Sequence, residues 1–256
     1  MDFTQHNTSV LKSMSNPERE ERSRSVLDLI ELNTFDLDLA AWFVSVVSKG
    51  ASWISGSGPS GIGKTTVMRS LLSFVPDHLR FDIALPKQVN QLGQTPSCII
   101  SNELSNHPPP TYLWDQDLRD FFAHTQNGHI LVGNAHADDL DEIKTKIVDE
   151  CNVPESQFQK INLFIFICLE GGNPQGRRIK DTTTRRVINK VYYSNGQTPH
   201  ELVYSDRDGF LSSAPRAVET EIKYRTWLTN VFNNSERSLE GIRQQFLIAS
   251  GNTTFC

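Results

Sequence analysis

The chain has 256 residues, 38% of them hydrophobic and 21% charged, which supports a real core and excludes wholesale disorder. A net charge of −5 argues against binding nucleic acid through overall charge, so no direct nucleic-acid partner is expected. The longest apolar runs, near Leu39–Val47 and Ile161–Leu169, fall short of the roughly 20 residues a membrane span needs, so any membrane link runs through a partner.

Residues 1–16 are polar and rich in Ser and Asn, read as a flexible tail without the apolar stretch of a secretion signal. Residues 17–50 read as leading helices. The first opens at Pro17-Glu-Arg-Glu-Glu-Arg-Ser-Arg, its apolar side starting at Val26, Leu29 and Ile30. The second spans Asp36 to Ser48, with Leu39, Trp42, Phe43 and Val46 at helical spacing and Thr34 or Asp36 as its cap. From Ala51 the pattern changes to a strand (51–55), a glycine-rich turn and a helix (65–74). Further strands are expected at 80–84, 97–101, 129–132, 162–169, 187–193 and 201–204, with helices at 113–124 and 139–150. This alternation predicts an α/β core over 51–215, a mostly parallel sheet flanked by helices. Residues 216–256 read as a C-terminal helical segment, two helices packing as a small tail bundle. Cys98, Cys151, Cys168 and Cys256 form no CxxC pair and read as free thiols in a reducing cytosol.

Gly58-Pro59-Ser60-Gly61-Ile62-Gly63-Lys64-Thr65 matches G-x-x-x-x-G-K-[ST] in full, between a strand and a helix. Glycines let the backbone wrap so that successive N–H groups face phosphate oxygens, and the helix that follows adds its positive end. Lys64 then reaches the outer phosphates, the Thr65 hydroxyl ligates Mg²⁺, and Thr66 is counted with the loop among the nucleotide-binding residues. The expected ligands are ATP and Mg²⁺, on a P-loop NTPase fold with a RecA-like sheet. Hydrolysis also needs a group to position water. Glu103, just after Cys98-Ile99-Ile100, fits that role and a place in the Mg²⁺ shell; it also fits a solvated acid at a strand end. His136 follows another apolar strand and reads either as a γ-phosphate sensor or as merely a packed or surface histidine.

These pieces resemble, in order and spacing, the secretion ATPase superfamily of type II and type IV machines, including pilus and archaeal flagellum motors. The resemblance runs from Leu27 to Tyr193. Leu27-Asp-Leu-Ile-Glu-Leu-Asn-Thr-Phe-Asp with Ala40-Ala-Trp is similar to the helix pair before the loop in archaeal members. Ile99-Ile-Ser-Asn102-Glu103 resembles the family's atypical Walker B, with Asn102 in place of glycine. Asn127-Gly128-His129 with Asn134-Ala-His136-Ala137 is similar to its histidine box, and Asn152-Val-Pro and Arg185-Arg186-Val fall where archaeal members carry similar residues.

The resemblance implies an ATP-hydrolysing motor domain in which Lys64, Glu103 and His136 act at the phosphates. It implies a homo-oligomeric ring, a hexamer, working on a membrane-embedded platform protein from the cytoplasm, peripheral to the inner membrane face. Three features depart from the family. Phe81-Asp82-Ile-Ala-Leu-Pro86 lacks the acidic Asp box, leaving Asp82 in its place; Gln91–Pro96 lacks the arginine-rich stretch; and the large N-terminal domain is not found, so a separate partner would supply it. Arg177, Arg178, Arg185 and Arg186 are the candidates for an arginine finger reaching a neighbouring subunit. The contrasting expectation is a degenerate nucleotide-binding regulatory or assembly subunit with little hydrolysis. A small-molecule phosphotransferase and a DNA-pumping ATPase are further alternatives.

Overall fold

The computed structural model describes residues 3–14, 22–107, 111–170 and 184–251. In chain order the helices are α1 (Thr4–Ser13), α2 (Val26–Glu31), α3 (Leu37–Val47), α4 (Lys64–Leu71), α5 (Asp115–Ala123), α6 (Leu140–Lys144), α7 (Glu155–Phe158), α8 (Val218–Val231) and α9 (Leu239–Ser250). The strands are β1 (Trp53–Gly56), β2 (Arg80–Ile83), β3 (Ser97–Ile100), β4 (Ile130–Ala135), β5 (Leu163–Leu169), β6 (Arg186–Tyr193), β7 (Glu201–Ser205) and β8 (Gly209–Phe210). The chain divides into a helical unit of residues 1–50, 69–81 and 216–256 and a sheet unit of residues 51–68 and 82–215.

In the helical unit, α1 forms where the sequence reads as a loose tail. Its anchors are too few to leave an apolar period: Leu11 is fully buried, and the buried Asn7 side chain donates to Leu79 O and accepts from Phe81 N–H, both at 2.9 Å. Helix α2 starts at Val26, later than the expected opening at Pro17. The Asp28 carboxylate accepts the Ser25 N–H at 2.7 Å, a capping turn that sets the start, and residues 17–21 lie outside the described ones. Asp36, rather than Thr34, caps α3, its Oδ1 accepting the Leu39 N–H at 2.7 Å. Asp36→Ala should therefore lower stability by about 1 kcal/mol with Asp36→Asn retaining most of it; an unchanged urea midpoint in the alanine variant would rule out a stabilising cap there. Helix α8 packs along α3, and α9 packs on α1 and on the 3-10 turn Leu72–Phe74. The rings of Phe74, Trp227 and Phe246 meet edge to face at 5.3–6.2 Å. The C-terminal helices thus complete one unit with the leading helices instead of forming a bundle of their own.

The sheet runs β2-β3-β4-β1-β5-β6-β7-β8. Pairs β3–β4, β4–β1 and β1–β5 are parallel, as expected of strands separated by helical crossovers. Pairs β5–β6, β6–β7 and β7–β8 are antiparallel, an extension absent from the sequence reading. The links from β6 to β7 and from β7 to β8 are too short for a crossover, so only antiparallel neighbours are open to them. Strand β1 lies inside the sheet, with Trp53 level with Val132 and Leu163, and all four of its residues are buried. On one face Ile54, Ile99, Leu131, Phe164 and Phe166 join Phe121 and Phe122 of α5, Ile143 of α6 and Phe158 of α7 in a single core cluster. The alternate residues Trp53, Ile100, Val132 and Ile165 are buried as well, which is why these strands read as continuous apolar runs.

Two element boundaries differ from expectation beside the candidate histidine. Strand β4 continues beyond the expected 129–132 to Ala135, so Asn134 is inside it and His136 comes directly after its end. The expected helix 139–150 is α-helical only to Lys144 and then widens into a π-helical turn, Thr145–Glu150. Because β1, β3 and β4 are parallel, their carboxyl ends and the loops beyond them share one edge of the sheet, where α/β folds collect ligands.

Candidate phosphate-binding site

The loop from Gly58 to Gly63 joins β1 to α4, whose first residue is Lys64. Gly61 and Gly63 have φ of +86° and +113°, a left-handed region that a side chain would strain, so glycine is required at both. Residues Ser60 to Thr66 line a pocket of about 340 Å³ together with Glu103, Tyr112 and His136. Three parallel strands therefore deliver the motif lysine, the acid and the histidine to one cavity.

Glu103 owes its place to the path of the chain beyond β3. The Ser101 N–H donates to Val132 O at 2.8 Å and the Leu104 N–H to Asn134 O at 2.8 Å, prolonging the ladder with β4. Glu103 O accepts the Leu113 N–H at 3.0 Å, which ties Leu113 back to the acid. The carboxylate is held at 6% exposure, Oε1 lying 3.7 Å from Lys64 Nζ and 3.7 Å from His136 Nε2. Both separations exceed a hydrogen bond, and Oε1 has no hydrogen-bond partner. Burial pushes the Glu103 carboxyl up from its usual value, against the pull of Lys64 and His136. Burial likewise pushes the Lys64 ammonium down, opposed by Glu103. Each is the other's main compensating charge.

Lys64 Nζ also donates to Ser57 O at 3.3 Å and lies 3.1 Å from His136 Nδ1, which is in turn 3.0 Å from Gly58 O. These two contacts of Nδ1 are alternatives. A bare Nδ1 accepts from Lys64, whereas a protonated one donates to Gly58 O, so the tautomer ties the lysine to the start of the loop. The His136 backbone is fixed as well: Lys146, on the π-helical turn, donates to His136 O and pairs with Glu142 at 2.6 Å. Gly58 and Pro59 do not line the pocket. The Gly58 N–H is taken by Asp138 Oδ1 at 2.6 Å, and Pro59 O accepts from the Ser57 hydroxyl at 3.2 Å.

Asn134, which the sequence placed in the histidine box without a role, is a further member. It is fully buried, and its Nδ2 donates to Asn102 O at 2.8 Å and to the Thr65 hydroxyl at 3.3 Å, while its Oδ1 has no partner. A buried amide within Ile-Leu-Val-Gly-Asn-Ala is the feature that marks it in sequence. Tyr112, which the sequence analysis missed, also lines the pocket.

The other singled-out residues are placed elsewhere. His129, at the opposite end of β4 from His136, accepts the Ser97 N–H on Nδ1 at 3.1 Å. Burial and the nearby His124 push it below the usual histidine value, and Asp82 opposes that shift. Asp82 thus acts on His129 and is not among the residues lining the pocket. Arg185 pairs with Glu170 at 2.5 Å, and Arg186 bonds to Gly61 O of its own chain. Arg177 and Arg178 lie outside the described residues. Cys98 and Cys151 are buried free thiols, and Cys168 is a half-buried one. Among the described residues no group of three His, Cys, Asp or Glu side chains that could hold a metal ion occurs, and no helix is long and apolar enough to cross a membrane.

No protein-family model and no curated protein matches the chain. Among solved structures it is similar to the VirB11 ATPase from the Brucella suis type IV secretion system, a crystal structure in complex with sulphate, at 18% identity and a TM-score of 0.42. That alignment covers 72% of this chain and 60% of the VirB11 chain.

Proposed function

We propose that this chain binds ATP with Mg²⁺ at Ser60–Thr66 and hydrolyses it, as the motor domain of a secretion, pilus or archaeal-flagellum type ATPase. The observation that carries the reading is the meeting of Lys64, Glu103 and His136, from three parallel strands, at 3.1–3.7 Å beside a complete phosphate loop. The donor set suits the ligand. Buried acceptor oxygens of Glu103 and Asn134 lack partners, the Thr65 hydroxyl opens on the same pocket, and few carboxylates are present, as is usual where Mg²⁺ is held largely by phosphates and water. Thr65 and Glu103 are the residues that would hold Mg²⁺, which when bound supplies charge neutralisation across the phosphates.

The side chains then divide the work. Lys64 leaves its contacts with Glu103 and His136 for the β and γ phosphate oxygens, where its charge is worth more. Glu103 Oε1 orients a water for in-line attack on the γ phosphorus and accepts its proton as the bond to the bridging oxygen breaks, giving ADP and inorganic phosphate. His136, released by Lys64, donates Nδ1–H to Gly58 O or turns to the γ phosphate, so its bonding follows the nucleotide state. Lys146 and Glu142 pass that state to the π-helical turn.

Assembly into a hexameric ring beneath a membrane-embedded platform protein, cytoplasmic and peripheral to the membrane, belongs to the same proposal. It rests on the sequence resemblance. Mg²⁺-dependent nucleotide binding and turnover, measured against protein concentration, test the reading. Wild type should bind ATP with Mg²⁺ and turn it over more steeply as concentration rises. Lys64→Ala should weaken binding by at least about 100-fold, since two or more charge-assisted bonds are lost. Equal binding by the alanine variant would move the ligand away from the loop. The position of Asp82, outside the pocket, favours a second reading in which ATP is held but scarcely hydrolysed, and tight binding without turnover at any concentration would select it.

A further inference from the structure

Arg186 opens β6, the first antiparallel strand, yet its side chain serves the phosphate loop of the same chain. Nε and Nη2 both converge on Gly61 O, at 3.4 and 3.3 Å, while Nη1 donates to Thr184 O at 2.9 Å. Its Cδ passes 3.6 Å from where a Cβ on Gly63 would stand, so the side chain lies along the loop from Gly61 to Gly63. Gly61, Ile62 and Gly63 line the pocket, but Arg186 does not; it holds the loop from outside. A trans peptide points its C=O and N–H in opposite directions. A guanidinium fixed on the outer side of the Gly61 carbonyl therefore turns the Ile62 N–H of the same peptide inward. Gly61, with φ of +86°, has no side chain to restrict that peptide, so an external clamp is the means of holding it.

We infer that Arg186 is a positioning residue acting within its own chain: by gripping Gly61 O it pre-aims the Ile62 N–H at the polyphosphate. The inference rests on the phosphate-binding reading and gives this arginine a role distinct from a finger offered to a neighbouring subunit. Its chemistry is that of a preorganised anion site, in which donors are oriented before the ligand arrives.

Three substitutions in the full chain test it. Glutamine carries its amide nitrogen on the same carbon position as arginine Nε, so Arg186→Gln keeps a donor for Gly61 O without the charge. Lysine keeps the charge without the fork. Affinity for a fluorescent ADP analogue should fall about tenfold in Arg186→Ala, the scale of one lost charge-assisted bond, and stay within about threefold of wild type in Arg186→Gln. The Ile62 amide proton should shift downfield on adding pyrophosphate in wild type and Arg186→Gln, and not in Arg186→Ala. These effects should be the same at low and high protein concentration, and mixing Arg186→Ala with Lys64→Ala chains should restore nothing. Wild-type affinity in Arg186→Ala overturns the inference. So does rescue by lysine but not glutamine, which makes the effect one of charge, and so does recovery on mixing, which places the guanidinium in a neighbour's site. A wild-type chain that binds neither ADP nor pyrophosphate overturns the phosphate-binding reading itself, a result separable from all of these.

Discussion

Glu103→Gln should lower ATP turnover by at least about 100-fold while nucleotide binding persists or tightens. The substitution preserves size and the buried position but removes the group that can take a proton, and a positioned general base contributes on the order of 10²–10⁴ in rate. Its effect on binding follows from charge. In the structure the carboxylate is 3.7 Å from Lys64 Nζ at 6% exposure, so it competes with phosphate for the ammonium. Removing that competitor leaves Lys64 to the ligand, and a polyanion no longer meets a negative charge at the pocket wall. Single-turnover measurements with bound nucleotide separate the two effects. Turnover equal to wild type would show that Glu103 neither orients nor deprotonates water. A wild type as inactive as the variant, with nucleotide bound in both, would favour the regulatory subunit.

The loop from Gly58 to Gly63 was legible in sequence as a strand-to-helix turn because it is local. Its glycines, lysine and threonine are contiguous, and the flanking strand and helix are short-range patterns. Glu103 and His136 were within reach because each follows an apolar strand, and a parallel sheet sends strand ends to one edge. Their mutual geometry was not legible, since it depends on strand order: β4 lies between β1 and β3, which puts His136 against both Lys64 and Glu103. The Asn134–Thr65 bond, between residues 69 apart, has the same origin. Helix α1 was lost for another reason. Its anchors include one leucine, a buried amide and the His6 ring at Phe81 O, and none of these produces a periodic apolar signal. Arg186 read only as one of four candidate arginine fingers because no local pattern signals that β6 pairs with β5 and carries the arginine to Gly61.

Phe166→Ala should lower stability by about 4 kcal/mol, and it should also remove the penalty that Gly56→Ala carries alone. Phe166 is 1% exposed in the core cluster, stands level with Gly56 across the β1–β5 pair, and packs edge to face on Tyr192 at 5.8 Å. Truncating a buried phenylalanine loses its transfer free energy and leaves a cavity that a sheet interior collapses poorly. A Cβ on Gly56 would lie 2.7 Å from the Phe166 ring and 3.0 Å from Ala137 O, closer than carbon contacts allow. Gly56→Ala should therefore cost about 2 kcal/mol through overpacking in the wild-type background. In the Phe166→Ala background the ring is gone and the new methyl partly fills the space, so the double variant should be more stable than the sum of the single losses by about 1–2 kcal/mol. Urea unfolding of the four proteins closes the cycle; additive losses would mean that Gly56 is glycine for the sake of Ala137 O instead. The distinction bears on function because Gly56 ends β1 and Ala137 follows His136. A methyl relieved by Phe166→Ala should leave nucleotide affinity intact, whereas one pressing on Ala137 O should push His136 away from Lys64 and weaken binding along with stability.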